Sequence, residues 1–152
     1  MKRILLVNSD IKEEIEKYFR GKDIEIVSDG EYDLAVYDDF CTDLPENAIN
    51  IHPSLLPAFE DENAIEKAFL AGVKVSGITI HNNKKIIAQY PVLIGIDTHI
   101  DEFKNDIKEV KKRLVPPVIE AIVEDRVFDF QDLFRNPCSH KVGVCSGCKG
   151  CH

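Results

Sequence analysis

The sequence lacks any apolar run long enough to cross a bilayer, and Met1–Arg3 leads directly into a strand pattern instead of the apolar core of a secretory signal peptide. We therefore expect a cytoplasmic protein without a membrane partner. It also lacks an excess of basic residues. Its net charge is −8, which opposes the non-specific binding of nucleic acid. The length of 152 residues fits one domain, and 44% hydrophobic and 30% charged residues are ordinary for a globular protein.

Acidic residues are absent after Asp132, and the same part of the chain is crowded with cysteine. We place a boundary there, between a body at 1–136 and a Cys/His-rich tail at 137–152. Without a secretory signal, clustered cysteines indicate metal binding or redox chemistry rather than disulfides. The candidate metal ligands are Cys138, Cys145, Cys148 and Cys151.

The spacing of the tail cysteines leaves two metals open. The CxxCxxC run resembles that of ferredoxin-type iron–sulfur clusters, with Cys138 as the fourth ligand, and slightly favours iron–sulfur. Zinc is the competitor, because Cys and His in a small knuckle serve equally well and His140 or His152 lies in reserve. The tail is thus a structural staple or the contact for a redox or protein partner. Cys41 stands alone and is interpreted as an inert thiol.

The first part of the body has the pattern of an open parallel sheet. Short apolar runs predict strands at 3–8, 24–27, 33–37 and 48–52. A helix follows the first strand, with Ser9 or Asp10 as its cap and Gly21 at its end. Strand, helix and further strands without hairpin signals favour a doubly wound α/β fold.

The second part predicts a helix at 63–71, a β-hairpin and a long helix. The hairpin strands are 73–81 and 85–92, joined at Asn82–Asn83, which tolerate the backbone of a tight turn. Asp97 or Thr98 is the expected cap of the long helix, which Pro116–Pro117 should break or kink. Its 108–113 stretch is expected to be a solvated face. A final apolar element is expected at 128–134. The predicted fold class is therefore α/β, a doubly wound parallel sheet ending in an antiparallel hairpin, with a small metal-binding tail.

The stretch NIHPSLLP, residues 50–57, combines an amide and an imidazole at the end of a strand. Asn50 and His52 are two residues apart, so an extended backbone directs both side chains to one face. In α/β proteins this end of a strand is where ligands bind. The motif therefore places an amide donor beside an imidazole that exchanges protons near neutral pH.

The motif and the segments after it, NAIEKAFLAGVKVSGITIH and IIAQYPVLIGIDT, resemble the folate-dependent formyltransferases over about 47–122. The glycinamide ribonucleotide branch is the most similar, because proline follows His52. The resemblance implies formyl transfer from 10-formyltetrahydrofolate to an unidentified amine acceptor, as in purine biosynthesis. It implies Asn50 and His52 as the catalytic residues. The folate-binding positions that it implies are Leu55, Leu56, Ile87 and Asp97.

Three departures from the family pattern leave alternatives open. The loop that should carry a catalytic aspartate is replaced by the turn at 82–85, and the glycine-rich phosphate loop is replaced by 7–10, where Asp10 would repel a phosphate. The N-terminal half is also shorter. His81 is interpreted as structural. The alternatives to an active enzyme are a catalytically degenerate module that binds folate or another small ligand, or an iron–sulfur redox partner with this body as its scaffold.

Overall fold

The structure, a computed structural model, describes residues 1–126. In chain order its elements are β1 (Lys2–Val7), α1 (Lys12–Phe19), β2 (Ile24–Val27), β3 (Leu34–Tyr37), β4 (Ala48–His52), α2 (Ala64–Ala71), β5 (Val75–His81), β6 (Ile86–Leu93) and α3 (Ile100–Val123). The predicted element at 128–134, the boundary at 136 and the cysteine tail lie outside the described residues.

The six described strands form one sheet in the order β2-β1-β3-β4-β5-β6. The first four are parallel to their neighbours, whereas β4 pairs with β5 and β5 with β6 in antiparallel fashion. The predicted α/β class, a parallel sheet ending in an antiparallel hairpin, is confirmed. The chain leaves β1 towards β2 and then returns to β3 on the other side, so a topological switch point lies between β1 and β3.

The interior of the sheet is buried on both faces. All five residues of β4 are buried, as are five consecutive residues of β5, 76–80. This part of β5 is therefore covered on both faces, whereas β6 at the edge of the sheet has only Val92 buried. α3 contributes Phe103, Ile107, Val110, Val115 and Ile119 to the core cluster.

α3 differs from its prediction at two places. It runs without a break through Pro116–Pro117, and Pro116 is buried in the body. Its N-cap is His99, which forms no side-chain capping bond, whereas Thr98 Oγ1 accepts a hydrogen bond from Gly95 N at 2.9 Å. The threonine hydroxyl is consumed by the turn before the helix, so the predicted cap is wrong.

α1 begins later than the sequence suggested, because its N-cap is neither Ser9 nor Asp10. Its N-cap is Ile11, and Ser9 Oγ accepts a hydrogen bond from Ile11 N at 3.3 Å instead of capping the helix proper. Asp10 is used elsewhere, in an ion pair with Lys111.

Among residues 1–126, none of the helices combines the length and the apolar composition that crossing a membrane requires.

Gly77 is required by the close approach of β5, β6 and the loop that follows β4. A β-carbon built on it would lie 2.1 Å from the Tyr90 carbonyl oxygen and 2.7 Å from Leu55 Cδ2. The main-chain oxygen cannot withdraw without disturbing the pairing of β5 with β6. A side chain at this position would therefore separate the hairpin from the loop of the NIHPSLLP motif.

We expect Gly77→Ala to lower the free energy of unfolding by about 3 kcal/mol, because the added methyl overpacks a closed site. The control is Gly72→Ala, at the left-handed C-cap of α2 with φ +75° and open space around the Cβ position. Backbone strain there should cost about 1 kcal/mol. Urea unfolding of both variants provides the comparison, and equal losses would contradict the packing argument.

Candidate active site

A cavity of about 650 Å³ opens at the carboxyl ends of the parallel strands. It lies between the start of α2 and the first half of α3, beside the topological switch point, and His52 at the end of β4 lines it. Crevices at this place are the usual ligand sites of open α/β sheets. His52 and Pro53 of the motif therefore line the cavity, whereas Asn50 does not.

His52 is buried, with 5% of its surface exposed. Its Nε2 lies 2.7 Å from the carbonyl oxygen of Phe59, in the loop between β4 and α2. The Ser54 hydroxyl donates to the Ala58 carbonyl at 2.6 Å and lies 3.2 Å from the Phe59 carbonyl oxygen. Within residues 1–126, no carboxylate forms an ion pair with the imidazole. The hydrogen-bond partner of His52 Nε2 is thus a main-chain carbonyl and not a carboxylate.

Asn50 is 1% exposed, and its amide is fully bonded. Nδ2 donates to the Asp39 carbonyl at 2.7 Å and to the Tyr37 carbonyl at 3.1 Å, and Oδ1 lies 3.1 Å from His81 Nε2. A primary amide carries two hydrogens, and both are committed here. Donation to a formyl oxygen would require Asn50 to give up one of these bonds.

His81 belongs to the same group, which the sequence reasoning missed. It pairs with Asn50 in the β4–β5 register, while Thr79 pairs with His52. Burial lowers the pKa of His81, and the neighbouring His52 lowers it further, while a hydrogen bond with Asn82 opposes both. One signal for His81 was available in the sequence. His81 lies two residues after Thr79, and alternate residues of a strand share a face, so both side chains are expected on the same face of β5.

Lys111 closes the deep side of the cavity with two aspartates. Its Nζ lies 2.6 Å from Asp10 Oδ1 and 2.9 Å from Asp38 Oδ1, and Ser9 Oγ donates to the other oxygen of Asp38 at 3.0 Å. Only 9% of Lys111 is exposed. The prediction that 108–113 forms a solvated face is therefore wrong at Lys111, because two carboxylates from other elements compensate the buried ammonium.

The two aspartates respond differently to this environment. Burial raises the pKa of Asp38 to about 6, and the Lys111 ammonium only partly opposes it. Burial also acts to raise the pKa of Asp10, but Lys111 outweighs it and the pKa falls below the ordinary value of 3.8. Burial alone would lower the pKa of Lys111, yet the two carboxylates together raise it. Lys111 is thus held as a cation and is neutralised by its partners.

The predicted folate-binding residues do not line this cavity and do not form one group within the described part of the chain. Leu55 contacts the Gly77 position, and Leu56 N donates to Thr79 Oγ1 at 3.0 Å. Ile87 lines a second cavity of about 550 Å³, near the turn at 82–85. Asp97 is exposed in the loop before α3. Their assignment to folate remains a prediction.

We expect Lys111→Met to destabilise the protein at pH 8 by about 3 kcal/mol, because two carboxylates lose their counter-ion. The folded-state pKa of Asp38, about 6, exceeds the ordinary 3.8. Its contribution to stability is therefore present below about pH 4 and lost as the pH rises through about 6. Without Lys111 this pKa rises further, so the loss should be much smaller at pH 5.

Urea unfolding at pH 5 and pH 8 tests this dependence, in a range where Asp10 stays ionised in the wild type. The control is Lys112→Met, which removes the neighbouring lysine and its surface pairs with Glu14 and Glu109. We expect it to change little at either pH. A loss for Lys111→Met that is equal at both pH values would contradict the role given to Asp38.

Comparison with known proteins agrees with the motif and the fold. The formyl transferase family model matches residues 5–124. Phosphoribosylglycinamide formyltransferase of Bacillus subtilis (strain 168) is 33% identical over 110 residues, which cover 68% of this chain and 56% of that protein. Formyltetrahydrofolate deformylase of the same organism is 28% identical over 130 residues, which cover 79% and 43%.

A solved structure shows the same fold. Phosphoribosylglycinamide formyltransferase from Anaplasma phagocytophilum superposes with a TM-score of 0.66 at 22% identity, covering 86% of this chain and 89% of that one. The chain spans about half the length of the curated relatives it matches. Since the family model matches well over half of the sequence, the chain belongs to the formyl transferase family.

Proposed function

We propose that the protein transfers a formyl group from 10-formyltetrahydrofolate to an amine, as in purine biosynthesis, with His52 as its central catalytic residue. The observation that carries this proposal is the position of His52, a buried imidazole of the family motif on the wall of the 650 Å³ cavity. The names of the relatives support both halves of the reaction, since they include an amine formyltransferase and a formyltetrahydrofolate deformylase.

The chemistry asks for a proton carrier and for exclusion of water. Attack of the amine on the formyl carbon forms a tetrahedral intermediate with negative charge on the formyl oxygen and a proton to be lost from nitrogen. A neutral imidazole accepts that proton at physiological pH. The cavity walls contributed by α2 and α3 would hold the amine and the formyl carbon together.

Asn50 has a conditional role in this proposal. Its amide stabilises the developing negative charge only if Nδ2 exchanges the Tyr37 carbonyl for the formyl oxygen, and that 3.1 Å bond is the longer of its two. The 2.7 Å bond to Asp39 and the contact with His81 would meanwhile keep the amide in place. Substrate binding would therefore complete the site.

In this proposal, separate residues are assigned to the donor and to the acceptor of the formyl group. Leu55, Leu56, Ile87 and Asp97 are proposed to contact the folate. For the acceptor we propose a small amine that does not rely on a phosphate contact at Lys111, since Asp10 and Asp38 already neutralise that lysine. The acceptor is not identified further.

A second candidate function is a catalytically degenerate module that binds folate or another small ligand. The complete satisfaction of the Asn50 amide favours it, because a fully bonded donor stabilises the fold without any substrate. The two candidates differ in one respect that can be measured. Turnover depends on the His52 imidazole only in the enzyme.

We expect His52→Gln to lower the rate of formyl transfer by at least about 100-fold, because it removes the proton carrier while an amide side chain retains hydrogen bonding. Loss of 10-formyltetrahydrofolate in the presence of a panel of amines is the measurement. The control is His99→Gln, at the exposed N-cap of α3, which should retain the wild-type rate. Absence of His52-dependent turnover with every amine would favour the binding module.

We also propose that 137–152 forms a unit of its own that binds an iron–sulfur cluster or zinc through Cys138, Cys145, Cys148 and Cys151, and that it contacts a redox or protein partner. The support is the CxxCxxC spacing.

Metal analysis and visible absorption after anaerobic purification test the tail. We expect bound iron or zinc in the wild type and its loss in the double variant Cys145→Ser/Cys148→Ser, because fewer than four ligands then remain among the four cysteines. Cys41→Ser is the control and should keep the metal, since this thiol lies in the body and its Sγ donates to the Asp43 carbonyl. A colourless protein without iron or zinc would exclude the proposal.

A further inference from the structure

The loop between β4 and α2 is tied to the hairpin by the hydroxyl of Thr79. Thr79 Oγ1 donates to the Ser54 carbonyl at 2.7 Å and accepts from Leu56 N at 3.0 Å. Gln89 Nε2 lies 3.1 Å from the same hydroxyl and 3.0 Å from the Leu56 carbonyl. Thr79 is fully buried, and its hydroxyl uses its hydrogen and both lone pairs in these contacts.

The other end of this loop is tied down by Ser54. Its hydroxyl is fully buried and bonds the Ala58 carbonyl at 2.6 Å, with the Phe59 carbonyl at 3.2 Å. Phe59 has a φ of +52°, in the left-handed region that residues other than glycine seldom occupy. In this conformation the Phe59 carbonyl oxygen lies 2.7 Å from His52 Nε2. The contacts of the loop with β5 and β6 therefore hold the Phe59 carbonyl in place as the hydrogen-bond acceptor of His52.

We infer that Thr79, Ser54 and Gln89 are positioning residues that hold His52 in the Nε2–H tautomer, and that Nδ1 is the atom that moves the proton in catalysis. A carbonyl oxygen only accepts hydrogen bonds, so the nitrogen 2.7 Å from it must carry the hydrogen. In a neutral imidazole the lone pair then lies on Nδ1. The inference rests on the proposed formyl transfer for its catalytic half, whereas the tautomer can be measured without it.

The proton balance of the step follows from this tautomer. The amine nitrogen forms a bond to the formyl carbon, and one of its protons passes to the Nδ1 lone pair, giving an imidazolium still bonded to Phe59 through Nε2. As the bond between the formyl carbon and N10 of the folate breaks, the Nδ1 proton passes to N10. The imidazole is regenerated in its original tautomer, with no net uptake or release of protons. A fixed carbonyl partner favours this cycle, because His52 does not have to rotate between the two transfers.

The tautomer is tested first in the wild-type chain, by ¹⁵N NMR of the histidine rings at a pH where His52 is neutral. The His52 signals are assigned from their loss in His52→Gln. We expect a protonated Nε2 and an unprotonated Nδ1. A protonated Nδ1, or rapid averaging between the two forms, would overturn the inference whether or not any amine is turned over.

The positioning role is tested with Thr79→Val, and Thr79→Ser restores the hydroxyl. We expect Thr79→Val to let the two tautomers average and to lower kcat on the order of 10-fold, as the loss of positioned hydrogen bonds implies. Thr79→Ser should recover both readouts. The matched control, Thr98→Val, removes a threonine hydroxyl bonded to Gly95 N in the loop before α3 and should leave the His52 tautomer unchanged.

Gln89→Met provides a second variant if Thr79→Val does not fold, because Gln89 is exposed and its replacement disturbs no buried packing. Its loss should shift the tautomer in the same direction but less. A folded variant of either residue with wild-type tautomer and kcat would overturn the positioning role. If no amine is formylated by the wild type, the proposed function fails, while the NMR result still decides the tautomer.

Discussion

Asn50 and His52 are polar side chains on a strand whose five residues are all buried, so those of their hydrogen-bonding groups that no substrate would reach need partners inside the protein. β4 lies between β3 and β5 in the middle of the sheet, where the backbone is used in pairing on both sides. The remaining partners come from strand ends and loops: the Tyr37 and Asp39 carbonyls after β3, His81 on β5, and the Phe59 carbonyl before α2. The need of Asn50 and His52 for hydrogen-bond partners thus ties the end of β3, the end of β5 and the loop before α2 to β4.

The buried Lys111 ammonium at the cavity also needs partners, and two carboxylates supply them. Lys111 reaches from α3 to Asp38 after β3 and Asp10 after β1, at the switch point of the sheet. A buried ion pair contributes little net stability, since desolvation offsets the Coulomb attraction, but removal of one partner is costly. The triad therefore acts mainly as a constraint that joins α3 to the carboxyl ends of two strands. It also makes the lysine a poor site for an anion.

The sequence predicted the sheet and the location of the site because both depend on short-range patterns. The apolar run of β4 and the prolines after it placed Asn50 and His52 at a strand end, and the turn at Asn82–Asn83 joined β5 to β6. The partners of these residues are long-range choices. Asn50 bonds the backbone of Tyr37 and Asp39, and the identity of a residue does not show which carbonyl will be free.

Lys111 illustrates a different reason for failure. A run of lysines and glutamates on a helix normally faces water, and Glu109 and Arg113 on α3 are exposed. Whether one member turns inwards depends on carboxylates supplied by the β1–α1 and β3–β4 connections, more than 70 residues away for Asp38. The helix pattern alone contains no information about them. The predicted cap at Thr98 was wrong for a local reason. The Thr98 hydroxyl accepts a hydrogen bond from Gly95 N, three residues earlier, instead of capping α3.

The arrangement of the two histidines joins the structural requirement to the proposed chemistry. In the proposed reaction His52 gains a proton, and His81 lies close enough that its pKa is lowered by His52. Burial also lowers the pKa of His81, which favours the neutral ring, and Nε2 of this ring lies 3.1 Å from Asn50 Oδ1. Asn50 would then keep its orientation at the moment when negative charge develops on the formyl oxygen. In this proposal the His52 imidazole changes charge, while the His81 imidazole maintains the position of Asn50.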